Sequence, residues 1–502
     1  MQRRLVKIAV EAFCFLPLVV VSARAVAAAL PPSRRDLKPG KAADSFQKAM
    51  ALFQQKKYAE AREEFLRFTK LNPTSAEGFF YLGMSELNLG DPKAAERSLL
   101  RSLELNPSSV SALYNLGVLY LERKRPAEAA RYLEQASRPG PEMPEVAVNL
   151  IRAYFDLGQD DRALQVLATA SRRYEESPEF HLAAGKVLLA HGRSGEARES
   201  LEQANRLAPS EPDVILPLAD ACLQQKDSAL ALELLKNIEA KGRNIADYHF
   251  LLAQAYLLSS RTDQALGEIQ IAVELNPQNP LYLLALGRCY QKQGRQRQAI
   301  ETLERAARLG PGLVEVPYSI AVSYFINDDF DQALSFVGKA LEIDPAFDRA
   351  VFLEGLARFA QGKLAEAETI LTRAVSLQPR NPFFRCFYGM VLISENRLEE
   401  ARAPLEEALR LDPSYALAHY QLGRLLARSG NYSEARVELE KATALQPDLL
   451  EAYYQLSHAY RRLGENEKAD QALAVFNKYR SEEYSERQEV LKEARQAVQG
   501  RP

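Results

Sequence analysis

The chain has 502 residues, and its 64 basic and 66 acidic side chains leave a formal net charge of −2. No run of like charge stands out, which excludes the clustered basic face that general binding to nucleic acid requires. A chain of this length would ordinarily predict about three domains. Internal repeats instead predict one continuous array, because a repeat protein grows in one dimension.

Residues 1–29 have the organisation of a secretory signal peptide. Arg3, Arg4 and Lys7 precede an apolar stretch at residues 8–21, and small residues follow it. This pattern predicts a cleaved signal and a periplasmic or secreted location. The predicted cleavage sites follow Ala25, Ala27 and Ala29.

The apolar stretch is shorter than a typical membrane span. It has 14 residues, whereas a spanning helix needs about 20. The alternative is an uncleaved anchor formed by residues 8–21, which would associate the chain with a membrane. Residues 30–41 contain three prolines and are predicted to form an extended tether.

From residue 42 onward the sequence repeats every 34 residues. A period this strict predicts one helical unit stacked many times, so that each unit buries its apolar face against its neighbours. The repeats begin at Ala42, Ala76, Val110, Pro144, Pro178, Pro212, Ala246, Pro280, Val314, Asp348, Pro382, Ala416 and Leu450. Position 20 of every repeat is alanine: Ala61, Ala95, Ala129, Ala163, Ala197, Ala231, Ala265, Ala299, Ala333, Ala367, Ala401, Ala435 and Ala469.

Each repeat carries two amphipathic stripes, and each stripe is followed by a residue that ends a helix. Apolar residues spaced by three and four, such as Phe79, Leu82 and Leu87, predict a first helix over positions 2–14. Glycine at position 15 in seven repeats predicts a left-handed helix end. A second stripe follows, and proline at position 32 in ten repeats ends the second helix.

Position 8 is glycine in seven repeats and alanine in four, with Ile151 and Ser457 as the exceptions. Small residues at a fixed place in successive helices predict close approach of the two helices of each pair.

The repeat resembles the tetratricopeptide repeat family, whose pattern is L-G-x-x-Y, then A-x-x-x-L/F, then P. The pattern is carried, for example, by Leu116, Gly117, Tyr120, Ala129, Leu133 and Pro141. The resemblance covers residues 42–481 and implies an all-α fold, a right-handed α-solenoid of thirteen tandem helix-turn-helix repeats. The chain departs from the family in having no tryptophan, and residues such as Phe79 and Leu113 occupy position 4.

No catalytic, metal or cofactor site is predicted, and the chain is predicted not to be an enzyme. The five histidines have no metal-ligand spacing, and no glycine loop is followed by the lysine and hydroxyl residue of a P-loop. Cys222, Cys289 and Cys386 occupy different positions of non-adjacent repeats, which predicts buried free thiols; a redox or metal role is the alternative.

In the family that the repeats resemble, the first helices line a concave surface. The resemblance implies that positions 2, 5, 6, 9, 12 and 13 point into it. Repeats 9 to 11 place an apolar set there, which predicts binding of an apolar or aromatic segment of a partner. The alternative is that packing between neighbouring first helices uses these side chains. The predicted peptide-binding residues are Tyr318, Val322, Phe325, Phe352, Leu356, Phe359, Phe387 and Met390.

Cations flank this apolar set. They are predicted to bind acidic residues or a terminal carboxylate of a peptide by charge-assisted hydrogen bonds, and an ordinary solvated surface is the alternative. Arg424 and Arg428 are the predicted peptide-binding residues among them. The full group is Arg288, Lys292, Arg424, Arg428, Arg461 and Arg462.

Asn115 and Asn149 both occupy position 6, in successive repeats. They resemble the start of the asparagine ladder that holds extended peptides in the O-linked N-acetylglucosamine transferase family. The resemblance implies that these two amides also bind a peptide backbone.

Two further segments depart from the period. Pro217 lies inside the first helix of repeat 6 and is predicted to bend it, so that the array changes twist near residues 212–245 and forms two arms. The charged residues from Glu465 to Arg495 predict one long helix, and the charged segment 482–502 is predicted to cap the array. A docking helix for a partner is the alternative.

The sequence therefore predicts a non-catalytic scaffold in the cell envelope, which binds extended or helical segments of partner proteins in its concave groove. One alternative is a substrate-recruiting or regulatory subunit of a separately encoded enzyme, such as a glycosyltransferase. Another is a structural spacer.

Overall fold

The computed structural model describes residues 41–138 and 143–478. The predicted signal segment, the predicted capping segment at 482–502 and the tether before Lys41 lie outside these residues. The described residues consist of helices and short turns, with no strand among them. They divide into two compact units, residues 41–275 and residues 276–478.

The unit formed by residues 41–275 contains seven helix pairs and one extra short helix. Each first helix packs against the second helix of its own repeat, and each second helix packs against the next first helix. The helices are α1 (Lys41–Gln54), α2 (Tyr58–Leu71), α3 (Ala76–Asn88), α4 (Pro92–Leu105), α5 (Val110–Glu122), α6 (Pro126–Ser137), α7 (Pro144–Asp156), α8 (Asp160–Arg173), α9 (Pro178–Ala190), α10 (Ser194–Leu207), α11 (Pro212–Gln224), α12 (Ser228–Asn237), α13 (Glu239–Gly242), α14 (Ala246–Leu258) and α15 (Thr262–Leu275).

The unit formed by residues 276–478 contains six further pairs built in the same way. Neighbouring first helices also contact one another along the whole unit. The helices are α16 (Pro280–Lys292), α17 (Gln296–Leu309), α18 (Glu315–Ile326), α19 (Phe330–Ile343), α20 (Asp348–Ala360), α21 (Leu364–Leu377), α22 (Pro382–Ser394), α23 (Leu398–Leu411), α24 (Ala416–Arg428), α25 (Tyr432–Leu445), α26 (Leu450–Arg462) and α27 (466–478).

A left-handed residue at position 15 ends the first helix in all thirteen repeats. The seven glycines there have φ between +68° and +83°, as predicted. The other six repeats reach the same conformation with an L-residue, for which this region is unfavourable. These residues are Lys56, Lys124, Lys226, Ser260, Asp328 and Asn396.

Close approach of the two helices at position 8 is confirmed. A Cβ atom added to Gly117 would lie 2.5 Å from Leu133 Cγ, and one added to Gly287 would lie 2.6 Å from Leu303 Cγ. The position-20 alanines are all fully buried beside this contact. The small residues at positions 8 and 20 therefore recur because the two helices of each pair pack closely at these positions.

Repeats 4 and 6 depart from the common unit, as their sequences do. In repeat 4 the buried Ile151 replaces the small residue of position 8, and only Ala163 and Ala170 of α8 are buried. In repeat 6, α11 continues through Pro217, and the short α13 follows α12. The two compact units divide after Leu275, and the predicted change of twist near residues 212–245 stays a prediction.

Across the described ranges, no helix combines the length and the apolar composition that a membrane crossing requires.

Candidate functional site

The apolar side chains predicted to line an open groove are instead part of the core. All of them are at most 2% exposed, and they belong to one cluster that joins successive first helices. Phe352 of α20, for example, has its ring centroid 4.4 Å from that of Phe384 and 5.5 Å from that of Phe387, both on α22. The prediction of an open apolar surface is therefore wrong for Tyr318, Val322, Phe325, Phe352, Leu356, Phe359, Phe387 and Met390.

The reason is that neighbouring first helices use these positions to pack against each other. Aromatic rings large enough to bridge the space between α20 and α22 leave none of their surface for a partner. The alternative interpretation of the sequence, packing between first helices, describes this part of the chain.

Asn115 uses its amide donor within its own helix, whereas Asn149 donates to its own helix and also to Tyr114 Oη on α5 at 3.4 Å. Asn115 is buried, and its Nδ2 donates to the Ser111 carbonyl oxygen at 2.8 Å. Asn149 is half-buried, and its Nδ2 donates to the Glu145 carbonyl oxygen at 2.9 Å. Only Asn149 therefore retains accessible surface, and peptide binding by this pair stays a prediction.

Arg424 and Arg428 lie one turn apart on α24 and project from the same side of the helix. Arg424 is half-buried, and its Nε has no hydrogen-bond partner. Burial lowers the pKa of its guanidinium, the neighbouring Tyr420 hydroxyl acts in the opposite direction, and the charge of Arg428 lowers the pKa further. Arg428 is exposed, and its Nη1 donates to the Ile393 carbonyl oxygen at 3.0 Å.

Neither arginine forms an ion pair within the described ranges. The arginines of the second helices behave differently, since Arg402 and Arg436 each bind a glutamate at 2.7 Å. Two neighbouring guanidinium groups without a carboxylate leave a local excess of positive charge on α24. Such an excess attracts an anionic group.

Gln421 was missed by the sequence analysis. It lies three residues before Arg424 on the same side of α24, it is fully buried, and neither of its amide atoms has a hydrogen-bond partner. Burying an amide without a hydrogen bond costs about 1–3 kcal/mol. No pattern within repeat 12 signals this, because the burial of position 6 depends on the neighbouring helix.

The first helix of repeat 13 continues this polar face and is open to solvent. Tyr454 is 40% exposed, whereas Tyr420 at the same position of repeat 12 is fully buried. His458, Arg461 and Arg462 are exposed as well. The difference arises because α26 packs on the face of α24, while no first helix among the described residues follows α26.

The charges of α26 extend the cationic surface of α24. Arg461 forms an ion pair with Asp470 at 3.3 Å. Arg462 has no ion-pair partner in the described part of the chain, and its guanidinium carbon lies 5.7 Å from the ring centroid of Tyr432. We call the surface formed by Arg424, Arg428, Tyr454, His458 and Arg462 the basic face of repeats 12 and 13.

Cys222, Cys289 and Cys386 are free and buried, as predicted. Burial raises the pKa of the Cys222 thiol to about 11 and the pKa values of the Cys289 and Cys386 thiols to about 12. A thiol with so high a pKa is a poor nucleophile at neutral pH. Among the described residues, no group of three or more histidine, cysteine, aspartate or glutamate side chains is placed to hold a metal ion.

Three family models, each of a tetratricopeptide repeat, match the chain. The first matches residues 46–95, 80–144, 250–314, 318–382 and 352–416. The second matches residues 120–187, 188–255 and 392–448, and the third matches residues 450–474. No curated protein matches the chain.

Two solved structures are similar to the chain at low sequence identity. One is the crystal structure of the APC/C hetero-tetramer Cut9–Hcn1, with 13% identity and a TM-score of 0.48, covering 84% of this chain and 96% of that one. The other is yeast Tom70, with 16% identity and a TM-score of 0.43, covering 85% of this chain and 96% of that one.

Proposed function

Because this chain belongs to the tetratricopeptide repeat family, whose members are protein-interaction scaffolds, we propose that it binds an acidic segment of a partner protein on the basic face of repeats 12 and 13. The observation that supports this proposal is the pair of guanidinium groups at Arg424 and Arg428, which have no carboxylate beside them in the described residues. The family fold is generally non-catalytic, and this proposal needs no chemistry beyond binding.

The electrostatics of α24 favour an anionic ligand. Removing a charge from water without a counter-charge is costly, so the half-buried Arg424 raises the free energy of the unoccupied surface. A carboxylate of the partner would supply the missing counter-charge and accept hydrogen bonds from the guanidinium. The repulsion between Arg424 and Arg428 would also be relieved, which adds to the free energy of binding.

The remaining groups of the basic face fit an extended or helical segment. Tyr454 presents an exposed ring against which an apolar side chain of the partner would pack. Its ring lies 4.7 Å from that of His458, which holds it in place.

The test is binding of a fluorescein-labelled peptide of alternating glutamate and glycine to the full chain, measured by fluorescence anisotropy. The paired change Arg428→Ala with Arg462→Ala should weaken binding about tenfold or more, since each lost charged hydrogen bond contributes about 1.5–3 kcal/mol. The control is Arg297→Ala on α17, whose side chain is 93% exposed. Equal affinity of the paired variant and the control would refute the proposal.

We further propose that binding takes place in the cell envelope, on the support of the charged and apolar pattern at residues 1–29. Mass spectrometry of the chain purified from its native host should show a mature N-terminus after Ala25, Ala27 or Ala29. Retention of Met1 in a membrane fraction would instead favour the anchor. Co-purification of an enzyme at fixed stoichiometry would favour the alternative of a recruiting or regulatory subunit.

A further inference from the structure

A second polar surface lies in the unit formed by residues 41–275, on the first helix of repeat 6. Positions 2, 6 and 9 of α11 are Asp213, Pro217 and Asp220, and the spacing of three and four residues places them on one side of the helix. Asp213 is exposed, whereas Asp220 is only 8% exposed. A buried carboxyl group thus lies below an exposed one.

Pro217 adds a third acceptor to this side of α11. The helix runs from Pro212 to Gln224 without interruption. Proline has no N–H, so the main-chain carbonyl of Asp213 lacks the donor that the residue four positions later normally provides. This carbonyl oxygen is therefore able to accept a hydrogen bond from a ligand, on the side of α11 that carries the two carboxyl groups.

The first helix of repeat 7 contributes an amide in the same register. Gln254 occupies position 9 of α14, as Asp220 does on α11, and these two helices pack against each other. Gln254 is 4% exposed, and neither Oε1 nor Nε2 has a hydrogen-bond partner. In native proteins nearly all buried polar atoms have a hydrogen-bond partner, so both polar atoms of this amide are able to bind a ligand.

Acidic groups dominate this side of repeats 6 and 7. Asp247 at position 2 of α14 adds to the negative charge around Asp220. The cation at position 9 of the preceding repeat, Lys186 on α9, is exposed and forms no ion pair with Asp220. Among the described residues, no cationic side chain forms an ion pair with the Asp220 carboxyl group.

We propose that α11 and α14 form a site for the guanidinium or ammonium group of a basic side chain on a partner protein. A guanidinium has five donors and no acceptor, which matches a surface composed almost entirely of acceptors. The Asp220 carboxylate forms an ion pair with this cationic group, while the Asp213 carbonyl oxygen and Gln254 Oε1 accept further hydrogen bonds from it. Gln254 Nε2 then donates to a main-chain carbonyl of the partner.

The state of Asp220 without a ligand is consistent with this role. Burial raises the pKa of its carboxyl group to about 7, the Gln224 amide acts in the opposite direction, and the charge of Asp247 raises it again. A carboxyl group whose pKa lies near 7 ionises readily when a cation binds beside it. The inference rests on the proposed scaffold function, although it concerns a different surface from the basic face of repeats 12 and 13.

The test uses the full chain and two labelled peptides, one of alternating arginine and glycine and one of alternating glutamate and glycine. Asp220→Asn keeps the shape of the side chain and should weaken the arginine peptide about tenfold or more, with no change for the glutamate peptide. Pro217→Ala restores the missing N–H without changing any charge, and it should weaken the arginine peptide several-fold. The control is Glu233→Gln, an exposed position on α12.

Asp220→Asn removes a buried ionisable group, so a fold at least as stable as the native one is expected and thermal unfolding verifies it. A loss of binding in a stable variant then supports the site. Equal weakening by Glu233→Gln would show general charge attraction and overturn the inference. Binding of the glutamate peptide without any binding of the arginine peptide would overturn this inference alone, and binding of neither peptide would overturn the proposed function as well.

Discussion

Two glycine-to-alanine changes in the unit formed by residues 276–478 should act in opposite directions. Gly287 lies at position 8 of α16, and an added Cβ would stand 2.6 Å from Leu303 Cγ and 2.7 Å from its Cδ2. Carbon atoms prefer separations of about 3.5–4.0 Å. Gly338 lies on the exposed side of α19, and nothing lies within 4 Å of its added Cβ.

The magnitudes follow from two competing terms. Alanine gains about 1 kcal/mol over glycine inside a helix, whereas overpacking costs about 1–3 kcal/mol. Gly338→Ala should therefore raise the free energy of unfolding by about 0.5–1 kcal/mol. Gly287→Ala should lower it by up to about 2 kcal/mol.

The assay is urea denaturation of the full chain, followed by circular dichroism at 222 nm. Leu303→Val in the Gly287→Ala background should recover part of the loss, because valine lacks the Cδ2 atom that lies 2.7 Å from the added Cβ. A coupling energy of about 1 kcal/mol is expected between the two sites. If both glycine variants were stabilised alike, the assigned contact between the helices would be wrong.

Three further changes test other parts of the structure. Asp220→Asn should stabilise the chain at pH 8 but not at pH 4, as measured by urea denaturation. The pKa of Asp220 is raised in the native state, so the unfolded state loses this proton at a lower pH. Ionisation of this carboxyl group therefore lowers the free energy of unfolding as the pH rises from about 4 to about 7, by at most about 4 kcal/mol. Lys124→Gly should raise the melting temperature, since φ is +55° there and glycine avoids a cost of about 1 kcal/mol. Ala299→Leu should lower the free energy of unfolding by roughly 1–3 kcal/mol, because Ala299 is fully buried between its helices.

The fold was predicted well because a single constraint repeats thirteen times. The all-α arrangement of tandem helix pairs and the membership of the tetratricopeptide repeat family are both confirmed. Glycine at position 15 correctly indicated a left-handed helix end. The six repeats without glycine there were not predicted to share this conformation, because a lysine such as Lys56 or Lys124 carries no such signal alone.

The binding surface was predicted less well, since exposure depends on the neighbouring repeat. The side chain at position 5 is buried in repeats 9 and 10, where it is Tyr318 and Phe352, but exposed in repeat 13, where it is Tyr454. The same residue type at the same position therefore has opposite roles, according to whether another first helix packs on it. A pattern within one repeat does not contain that information.

Position 9 of the first helices shows where the chain departs from what stacking alone requires. It is apolar in repeats 9 to 11, where Val322, Leu356 and Met390 are buried without any polar atom. The fold therefore needs no polar group at this position. Polar residues nevertheless occupy it at a cost in desolvation in repeats 6, 7, 8 and 12: Asp220, Gln254, Arg288 and Arg424. Polar residues kept where apolar ones suffice are expected at functional sites. Both proposed sites are centred on this position, and each lies within one unit. Substitutions that abolish binding at one site should therefore leave binding at the other unchanged.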